Sequence, residues 1–437
     1  MPRDLTDLME RATSFAPPEP HAASDITRLA ARRQQRRTTS LAAGLAVAVL
    51  AAGAIGYGTT RSGHQAPEPV GTPHDLHQSV VDAVPASSVA GFSTLDYGVP
   101  SVANHLGPLA PIGQYADVDA SGRLVVMKVT SSSGSTTELS ATYEMVGGPG
   151  EAPAGVLAPR SVSPSNIWQP SFTGDGGLAW EQPNAGTLDY LLTDAQGQHP
   201  ITVSNDLSGV SGQTPGGVHP VRSIWYEDGR VWFSVVTRQN AATASSPRQW
   251  VSLYSVDPED PSVLRAEKPA DAAEIAVGGG EAVWTDGTTV KAVDLSTGVE
   301  RTVPMPLDSG CGLPNPSLLV DGNLTGAVTT NGHLISLLEA CPGSSHLVVT
   351  DLDGRLVTDI TSTSPGYLQQ IRLSGDLLTF EGDASDGSIS PYVDDLSTGQ
   401  LVRLGSSRER MVGDTRANGR YVIWYDAQGG HVGRFSG

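Results

Sequence analysis

Short runs of alternating apolar and polar residues recur along most of the chain, and each run follows a glycine turn. Examples are ASGRLVVMKV, EDGRVWFSVV and ANGRYVIWYD, and such alternation predicts strands with one buried face. Seven units of this kind occur, with their turn glycines at Gly122, Gly177, Gly229, Gly280, Gly322, Gly375 and Gly419. Successive glycines lie 42 to 55 positions apart, which is the spacing of a structural repeat.

A second pattern trails most units: a strand that ends in aspartate, a turn, and another strand. It reads LYSVDPEDPSVL in one unit and VVTDLDGRLVTDI in another. The pentapeptide DLSTG occurs identically at residues 294–298 and 395–399. Each unit therefore holds about four short strands joined by tight turns.

A single four-stranded sheet cannot bury its own faces, but sheets stacked around an axis bury one another's. The units therefore predict an all-β fold, a seven-bladed β-propeller with six or eight blades as the alternatives, over residues 87–437. The pattern resembles bacterial propellers of the TolB-type and tryptophan–aspartate-repeat groups. This resemblance implies the fold and leaves the function open, because the scaffold carries many unrelated activities.

The aromatic residues of the repeats are interpreted as core between blades. They are Trp180, Trp232, Trp284, Phe380 and Trp424.

Ring closure is predicted from a strand count. The last unit offers three strands where the others have four, which would leave an open edge between the last and first blades. Residues 87–98 (SSVAGFSTLDYG) carry four apolar side chains and have no other evident partner. We expect this segment to pair with the C-terminal blade as its outer strand.

A charge-free apolar run at residues 41–58 contains 18 residues, which span about 27 Å as a helix, close to the hydrocarbon thickness of a bilayer. The arginines that precede it closely are Arg28, Arg32, Arg33, Arg36 and Arg37, whereas only Arg61 follows closely. Positive residues stay in the cytoplasm. The sequence therefore predicts a single-pass protein of the cell membrane, with a cytoplasmic segment 1–40, a transmembrane helix 41–58, a Pro-rich linker 59–86 and an extracytoplasmic propeller 87–437.

The overall charge excludes one class of partner. The chain has 27 Lys and Arg against 46 Asp and Glu, a net charge of −19, whereas a nucleic-acid binder needs a basic surface. Only three of the basic residues are lysine. This composition is typical of a GC-rich genome, and the short arginine-rich tail resembles those of actinobacterial single-pass proteins.

Cys311 and Cys341 are the only cysteines, and both lie in the predicted extracytoplasmic part. An even pair in an oxidising compartment predicts a disulfide. The alternative, a redox-active pair, is more often a closely spaced Cys-x-x-Cys.

Four motifs suggest specific chemistry, and each is interpreted as structural or incidental. Residues 173–180 (TGDGGLAW) resemble the Asp-box of sialidase propellers and are expected to form a blade hairpin. Residues 117–122 resemble the start of a calcium loop, but Lys128 stands where the closing acid would be; a hairpin with solvated aspartates is expected. Residues 381–388 form an acidic loop without fixed ligand geometry, and His74 and His77 are a weak metal signal on a linker.

No catalytic, cofactor-binding or metal-binding residue is predicted, because no hydrolase, zinc or phosphate-loop motif is present. The sequence favours a membrane-anchored binding module for an extracytoplasmic protein or glycan. The alternatives are a surface hydrolase or lyase with a site in the propeller funnel, and a transmembrane signalling protein that acts through its cytoplasmic helix.

Overall fold

The structure is a computed structural model. It describes residues 77–99, 112–131, 139–156, 170–173, 176–184, 187–198, 201–206, 221–227, 229–239, 249–267, 272–287, 289–306, 311–312, 327–363, 368–383, 388–405, 415–426 and 428–436. These residues belong to a compact unit, Pro67–Gly437. The other unit, Met1–Ala66, lies outside the described residues, and so does the predicted transmembrane segment. Within the described part of the chain, no helix is long and apolar enough to cross a membrane.

Seven separate β-sheets form the fold, which confirms the all-β, seven-bladed propeller. Three short strands and two 3-10 turns come first: β1 (His77–Ser79), a turn at Val80–Asp82, β2 (Val84–Pro85), a turn at Ala86–Ser88 and β3 (Phe92–Leu95). Blade 1 contains β4 (Ile112–Val118), β5 (Leu124–Ser131), β6 (Leu139–Val146) and β7 (Ala154–Gly155). Blade 2 contains β8 (Ser171–Phe172), β9 (Leu178–Asn184), β10 (Thr187–Leu192) and β11 (Ile201–Asp206).

The remaining blades follow in chain order. Blade 3 contains β12 (Val221–Glu227), β13 (Arg230–Gln239), β14 (Gln249–Asp257) and β15 (Asp260–Ala266). Blade 4 contains β16 (Glu274–Gly278), β17 (Glu281–Thr285), β18 (Val290–Asp294) and β19 (Glu300–Val303). Blade 5 contains β20 (Val328–Thr330), β21 (Leu334–Cys341), β22 (Ser344–Asp351) and β23 (Leu356–Ser362). Blade 6 contains β24 (Leu368–Ser374), β25 (Leu377–Asp383), β26 (Ile389–Asp395) and β27 (Gln400–Arg403), and blade 7 contains β28 (Arg416–Asn418), β29 (Tyr421–Asp426) and β30 (Gly429–Phe435).

The first strand of each blade is the innermost. First strands of neighbouring blades contact each other, as β12 does with β16, β20 with β24, and β28 with β4. Consecutive strands within a blade pair antiparallel, so each sheet runs outward from the axis of the ring. The first strands therefore surround the central channel.

Seven apolar clusters hold the ring together, one at each interface between neighbouring blades. The aromatic residues predicted as core are all buried: Trp180 and Phe380 have no exposed surface, and the other three are at most 5% exposed. Burial of an aromatic or large aliphatic side chain contributes about 1.5–3 kcal/mol. Apolar burial at these interfaces thus holds neighbouring blades together.

Blade 7 takes its outer strand from the N-terminal side, as predicted. Strand β3 pairs antiparallel with β30, with Phe92 opposite Phe435 and Leu95 opposite Val432. The Phe92 ring lies 4.9 Å from the Phe435 ring and 5.9 Å from the Trp424 ring. This pairing joins the two ends of the described chain and closes the ring.

Two further strands add to the neighbouring blades, and the sequence analysis did not predict them. Strand β1 pairs in parallel with β23 of blade 5, and β2 pairs in parallel with β27 of blade 6. Both strands fall inside residues 59–86, which were predicted as linker. Residues 77–95, here called the N-terminal strap, therefore contribute one strand to each of three successive blades.

The strap also makes a buried polar contact between blades 5 and 6. The side-chain amide of Gln78 donates to the Thr358 hydroxyl and to Asp394 Oδ2, both at 3.0 Å. Asp394 is fully buried, and its Oδ1 atom has no hydrogen-bond partner among the described residues. Burial raises the pKa of Asp394 to about 7, although the Gln78 hydrogen bond acts in the opposite direction.

Removal of the strap is expected to destabilise the ring in two steps. Proteins beginning at Gly71, at Ala86 and at Gly107 would keep the whole strap, only β3, or none of it. We expect their melting temperatures to fall in that order, because the second loses two outer strands and the third also loses the closing strand. The third protein also lacks three buried side chains, Val80, Val89 and Tyr97. At about 1.5–3 kcal/mol each, their burial contributes several kcal/mol to the free energy of unfolding. Equal melting temperatures for the first and third proteins would show that the ring closes in another way.

The raised pKa of Asp394 predicts a loss of stability as the pH rises. The folded protein keeps the Asp394 proton up to about pH 7, whereas the unfolded chain releases it near the ordinary value of 3.8. The stability that the buried, protonated Asp394 contributes is therefore complete below pH 3.8 and is lost as the pH rises to about 7. Between these limits the wild type should lose up to about 1.4 kcal/mol per pH unit relative to Asp394→Asn, whose side chain does not titrate.

Urea denaturation of both proteins across this pH range measures the effect. Asp376→Asn, at an exposed turn, is the matched control and should follow the wild type. Parallel pH profiles for the wild type and Asp394→Asn would contradict a protonated Asp394 in the folded protein.

Candidate functional site

The two faces of the ring differ because of the strand order. In a four-stranded antiparallel blade, the first and third hairpin turns lie at one end, and the second turn and the connection to the next blade lie at the other. The first end has tight turns, such as residues 119–123, 295–299 and 396–399; we call it the turn face. The other end, here called the loop face, has long connections, which include residues 156–170, 207–220, 304–327 and 404–415. Most residues of these long connections lie outside the described part of the chain.

Aspartates at the ends of third strands fix the turn face. In blade 4, Asp294 Oδ1 accepts the backbone N–H groups of Ser296 and Thr297 at 2.8 and 2.9 Å. The hydrogen bond from the Ser296 hydroxyl, with those from the backbone, lowers the pKa of Asp294. Asp351 and Asp395 occupy the same position in blades 5 and 6 and also accept backbone N–H groups. The repeated aspartates found in the sequence thus serve the turns.

A charged cluster lies among the inner strands of blades 7, 1 and 2. Arg416, on β28, donates from Nη1 to the Ser171 hydroxyl of β8 at 3.0 Å. The same nitrogen lies 3.9 Å from Asp117 Oδ2 of β4. That oxygen also accepts the backbone N–H of Phe172 at 2.8 Å. Together these contacts link blades 7, 1 and 2 around the channel.

Burial and nearby positive charge have opposite effects on the pKa of the carboxyl group in this cluster. Desolvation raises the pKa of Asp117, whose side chain is 13% exposed, and the positive charges of Arg416 and then Arg372 act against the rise. Arg416 itself is buried, with 8% exposure. Because Arg416 bonds to Ser171 and Asp117 bonds to the Phe172 backbone across blade boundaries, the cluster's evident role is to join the inner strands.

A second polar cluster lies at the outer part of blade 5. The Ser344 hydroxyl is 3.3 Å from His346 Nε2, and His346 Nδ1 is 3.2 Å from Asp359 Oδ1. The other carboxylate oxygen of Asp359 lies 3.1 Å from Nδ1 of His77 in the strap. We call Ser344, His346, Asp359 and His77 the blade-5 array.

Local strand geometry explains why these side chains meet. Ser344 and His346 are two positions apart on β22, so their side chains project from the same face of the sheet. Asp359 lies on the adjacent β23, and His77 is directly opposite Asp359 on β1. Ser344 begins the strand after a two-residue turn at the loop face. The sequence analysis missed the array, because its members belong to three strands and no motif joins them.

The predicted disulfide is confirmed. Cys311, in the connection from blade 4 to blade 5, is bonded to Cys341 at the end of β21, across 30 positions. A carboxylate oxygen of Glu339 lies within 4.8 Å of both sulfur atoms, and among the described residues these three form the one group of potential metal ligands that meet. The sulfur atoms are bonded to each other, so the group offers no thiolate to a metal ion.

The motifs interpreted as structural are placed as follows. Thr173 and Gly177 close the connection between β8 and β9, with the Thr173 N–H bonded to the Gly177 carbonyl, as expected for a blade hairpin. The hairpin predicted at residues 117–122 is confirmed. The expectation that its aspartates would be solvated is wrong. Asp117 lies in the channel cluster with its side chain 13% exposed, and Asp119, 8% exposed, accepts backbone and side-chain hydrogen bonds within its turn.

The remaining candidate ligands give no metal site in the described part of the chain. Glu381 is buried and accepts a hydrogen bond from Gln369, and residues 384–387 of its loop lie outside the described residues. His77 contacts Asp359, and His74 lies outside the described residues.

Solved structures similar to this chain include TolB and WD40 propellers. TolB from Acinetobacter baumannii is 15% identical with a TM-score of 0.36, and the match covers 65% of this chain and 63% of that one. The WD40 domain of Toxoplasma gondii coronin is 11% identical with a TM-score of 0.41, over 78% of this chain and 88% of that one. An acylaminoacyl peptidase from Pyrococcus horikoshii is 11% identical with a TM-score of 0.44, over 78% of this chain and 52% of that one. No known protein family and no curated protein matches the chain.

The channel cluster predicts a specific pattern of mutational effects. Arg416→Met should destabilise the protein by about 3 kcal/mol, because it leaves the largely buried Asp117 carboxylate with less compensating charge. Adding Asp117→Asn should recover part of that loss, since the uncompensated charge is then removed. Urea denaturation of the two single variants and the double variant gives the interaction energy.

Lys291→Met is the matched control for this cycle. Lys291 pairs with Glu300 at 3.1 Å, but both side chains are about one-third exposed. Its loss should cost less than about 1 kcal/mol. If Arg416→Met costs no more than Lys291→Met, the channel cluster does not join the blades.

Proposed function

We propose that the protein is a membrane-anchored, extracytoplasmic binding module whose loop face holds a protein or glycan ligand. The observation that carries this proposal is the difference between the two faces. The turn face is built from tight turns whose aspartates bond to their own backbone. Long connections collect at the loop face, and binding residues are disproportionately found on loops that a rigid scaffold positions.

Two features support an extracytoplasmic location. The Cys311–Cys341 disulfide ties a loop-face connection to blade 5, and disulfides persist mainly in oxidising compartments. The strap, whose first two strands fall inside the predicted linker, pairs with three successive blades. An anchor that precedes the strap would therefore be attached to the ring through strand pairing on blades 5, 6 and 7.

The proposal is tested with the full chain in intact bacteria by site-specific photo-crosslinking. Thr289 and Thr297 are a matched pair, because both are exposed threonines of blade 4 and they lie on opposite faces of the ring. A photo-reactive residue at Thr289, on the loop face, should capture the ligand, and one at Thr297, on the turn face, should capture much less. Capture from Thr297 alone would contradict the assignment of the binding face.

The location is tested in the same strain. A reporter enzyme that is active only outside the cytoplasm, fused after Gly437, should be active. Activity of a cytoplasm-specific reporter at that position would overturn both the anchor and the extracytoplasmic location.

A further inference from the structure

We propose that Ser344, His346 and Asp359 form a serine acyl-transfer site that hydrolyses neutral or cationic carboxylic esters. The inference is independent of the binding role proposed above. It also differs from a funnel site, because these residues lie on β22 and β23, in the outer half of blade 5.

The geometry assigns each group a role. A serine becomes a nucleophile when a neutral imidazole accepts its proton and a carboxylate fixes the orientation of that imidazole. Here Nε2 of His346 is 3.3 Å from the Ser344 hydroxyl, and Nδ1 is 3.2 Å from the Asp359 carboxylate. The two ring nitrogens therefore contact the two partners that the chemistry requires. These distances suit an unliganded site, in which such hydrogen bonds are often long.

The array is held on a rigid support. Ser344 and His346 share one strand, and Asp359 lies on the next strand of the same sheet. The His77 ring contacts the second oxygen of Asp359 at 3.1 Å, so the strap helps to orient the carboxylate. His77 is thus a positioning residue. The side chains of His346 and Asp359 are 15% and 12% exposed, which shields their hydrogen bond from water.

The residue before the serine has a backbone N–H group that could stabilise the developing negative charge. Ser344 follows the turn at Pro342 and Gly343, and Gly343 has a φ of +86°. Among the described residues the backbone N–H of Gly343 bonds to no backbone acceptor. An amide N–H one residue from the nucleophile is the type of group that stabilises the oxyanion of an acyl-transfer intermediate.

The reaction follows from these groups. The Ser344 oxygen bonds to the ester carbonyl carbon while its proton passes to Nε2 of His346. The ester C–O bond then breaks, and His346 returns the proton to the leaving alcohol. Water, activated by His346, attacks the acyl-serine, which releases the carboxylic acid and restores the Ser344 hydroxyl. No oxidant, reductant or further co-reactant is needed.

The charge around the array selects the substrate class. Asp359 belongs to the array, and Glu339 lies directly opposite His346 on β21. The whole chain carries a net charge of −19. Like charges at short range oppose binding, so an ester with an anionic acyl group should be a poor substrate, and a neutral or cationic ester should be accepted.

Labelling of the wild-type protein by a fluorophosphonate tests the site. The serine oxygen displaces fluoride at phosphorus, and peptide mapping by mass spectrometry identifies the modified residue. We expect the label on Ser344. Ser296 provides an internal control, because it is an exposed turn serine that bonds to a carboxylate, Asp294, without a histidine. It should remain unlabelled.

Substitutions separate catalysis from structure. Ser344→Ala should abolish labelling, and His346→Gln should slow it at least about 100-fold, the usual contribution of a general base. Asp359→Asn should slow labelling, and His77→Ala should slow it by a smaller factor. Both variants should keep the melting temperature of the wild type. A neutral p-nitrophenyl ester should be hydrolysed faster than one with a terminal carboxylate, and Ser344→Ala should remove this activity.

Two results would overturn the proposal. One is wild-type protein in which Ser344 is labelled no faster than Ser296; this result does not depend on any variant folding. The other is ester hydrolysis that persists in a folded Ser344→Ala protein. Binding to the loop face would be unaffected by either result, so failure of this site is distinguishable from failure of the binding role.

Discussion

Pairing of β3 with β30 is the contact on which the ring depends. Each sheet buries its faces only against its two neighbours, so the seven apolar interfaces exist together only if blade 7 is complete and meets blade 1. Strand β3 supplies the outer edge of blade 7, and the chain that follows β3 brings Tyr97 into the cluster between blades 7 and 1. The Tyr97 hydroxyl donates to the carbonyl of Gly122 in blade 1, which fastens the same seam. One short strand thus contributes to both interfaces of blade 7, through Leu95 on one side and Phe92 on the other.

The strap also pairs with blades 5 and 6, and its side chains contact polar groups of both blades. Gln78 contacts the buried Asp394 of blade 6, while His77, the preceding residue, contacts Asp359 of blade 5. Adjacent residues of a strand point to opposite sides of a sheet, which explains how one short strand reaches both groups. The orientation of Asp359 in the blade-5 array is therefore coupled to the same strand that covers Asp394.

The fold was predictable from the sequence because its signals are local and repeated. Alternating strands, turn glycines and the aspartates that end third strands recur from blade to blade, and their period gives the number of blades. In blade 5 the first hairpin turn contains Gly332; Gly322, the predicted turn glycine, lies outside the described residues. Closure was predictable because three strands in the last unit implied a missing fourth. Strands β1 and β2 were not predictable, because three and two residues are too few to show alternation. Their register comes from pairing with distant strands, which a local pattern does not encode.

The polar clusters were hidden for the same physical reason. Asp117 and Arg416 meet because inner strands of neighbouring blades come together around the channel, although one residue belongs to the first blade and the other to the last. His77 and Asp359 are 282 positions apart, and serine, histidine and aspartate are ordinary residues on the outer strands of a blade. Only Ser344 and His346 are close in sequence. Their spacing of two positions places both side chains on one face of the sheet only because β22 is a strand, which the sequence alone does not show. Propeller topology therefore both conceals such sites in the sequence and assembles them in the folded ring.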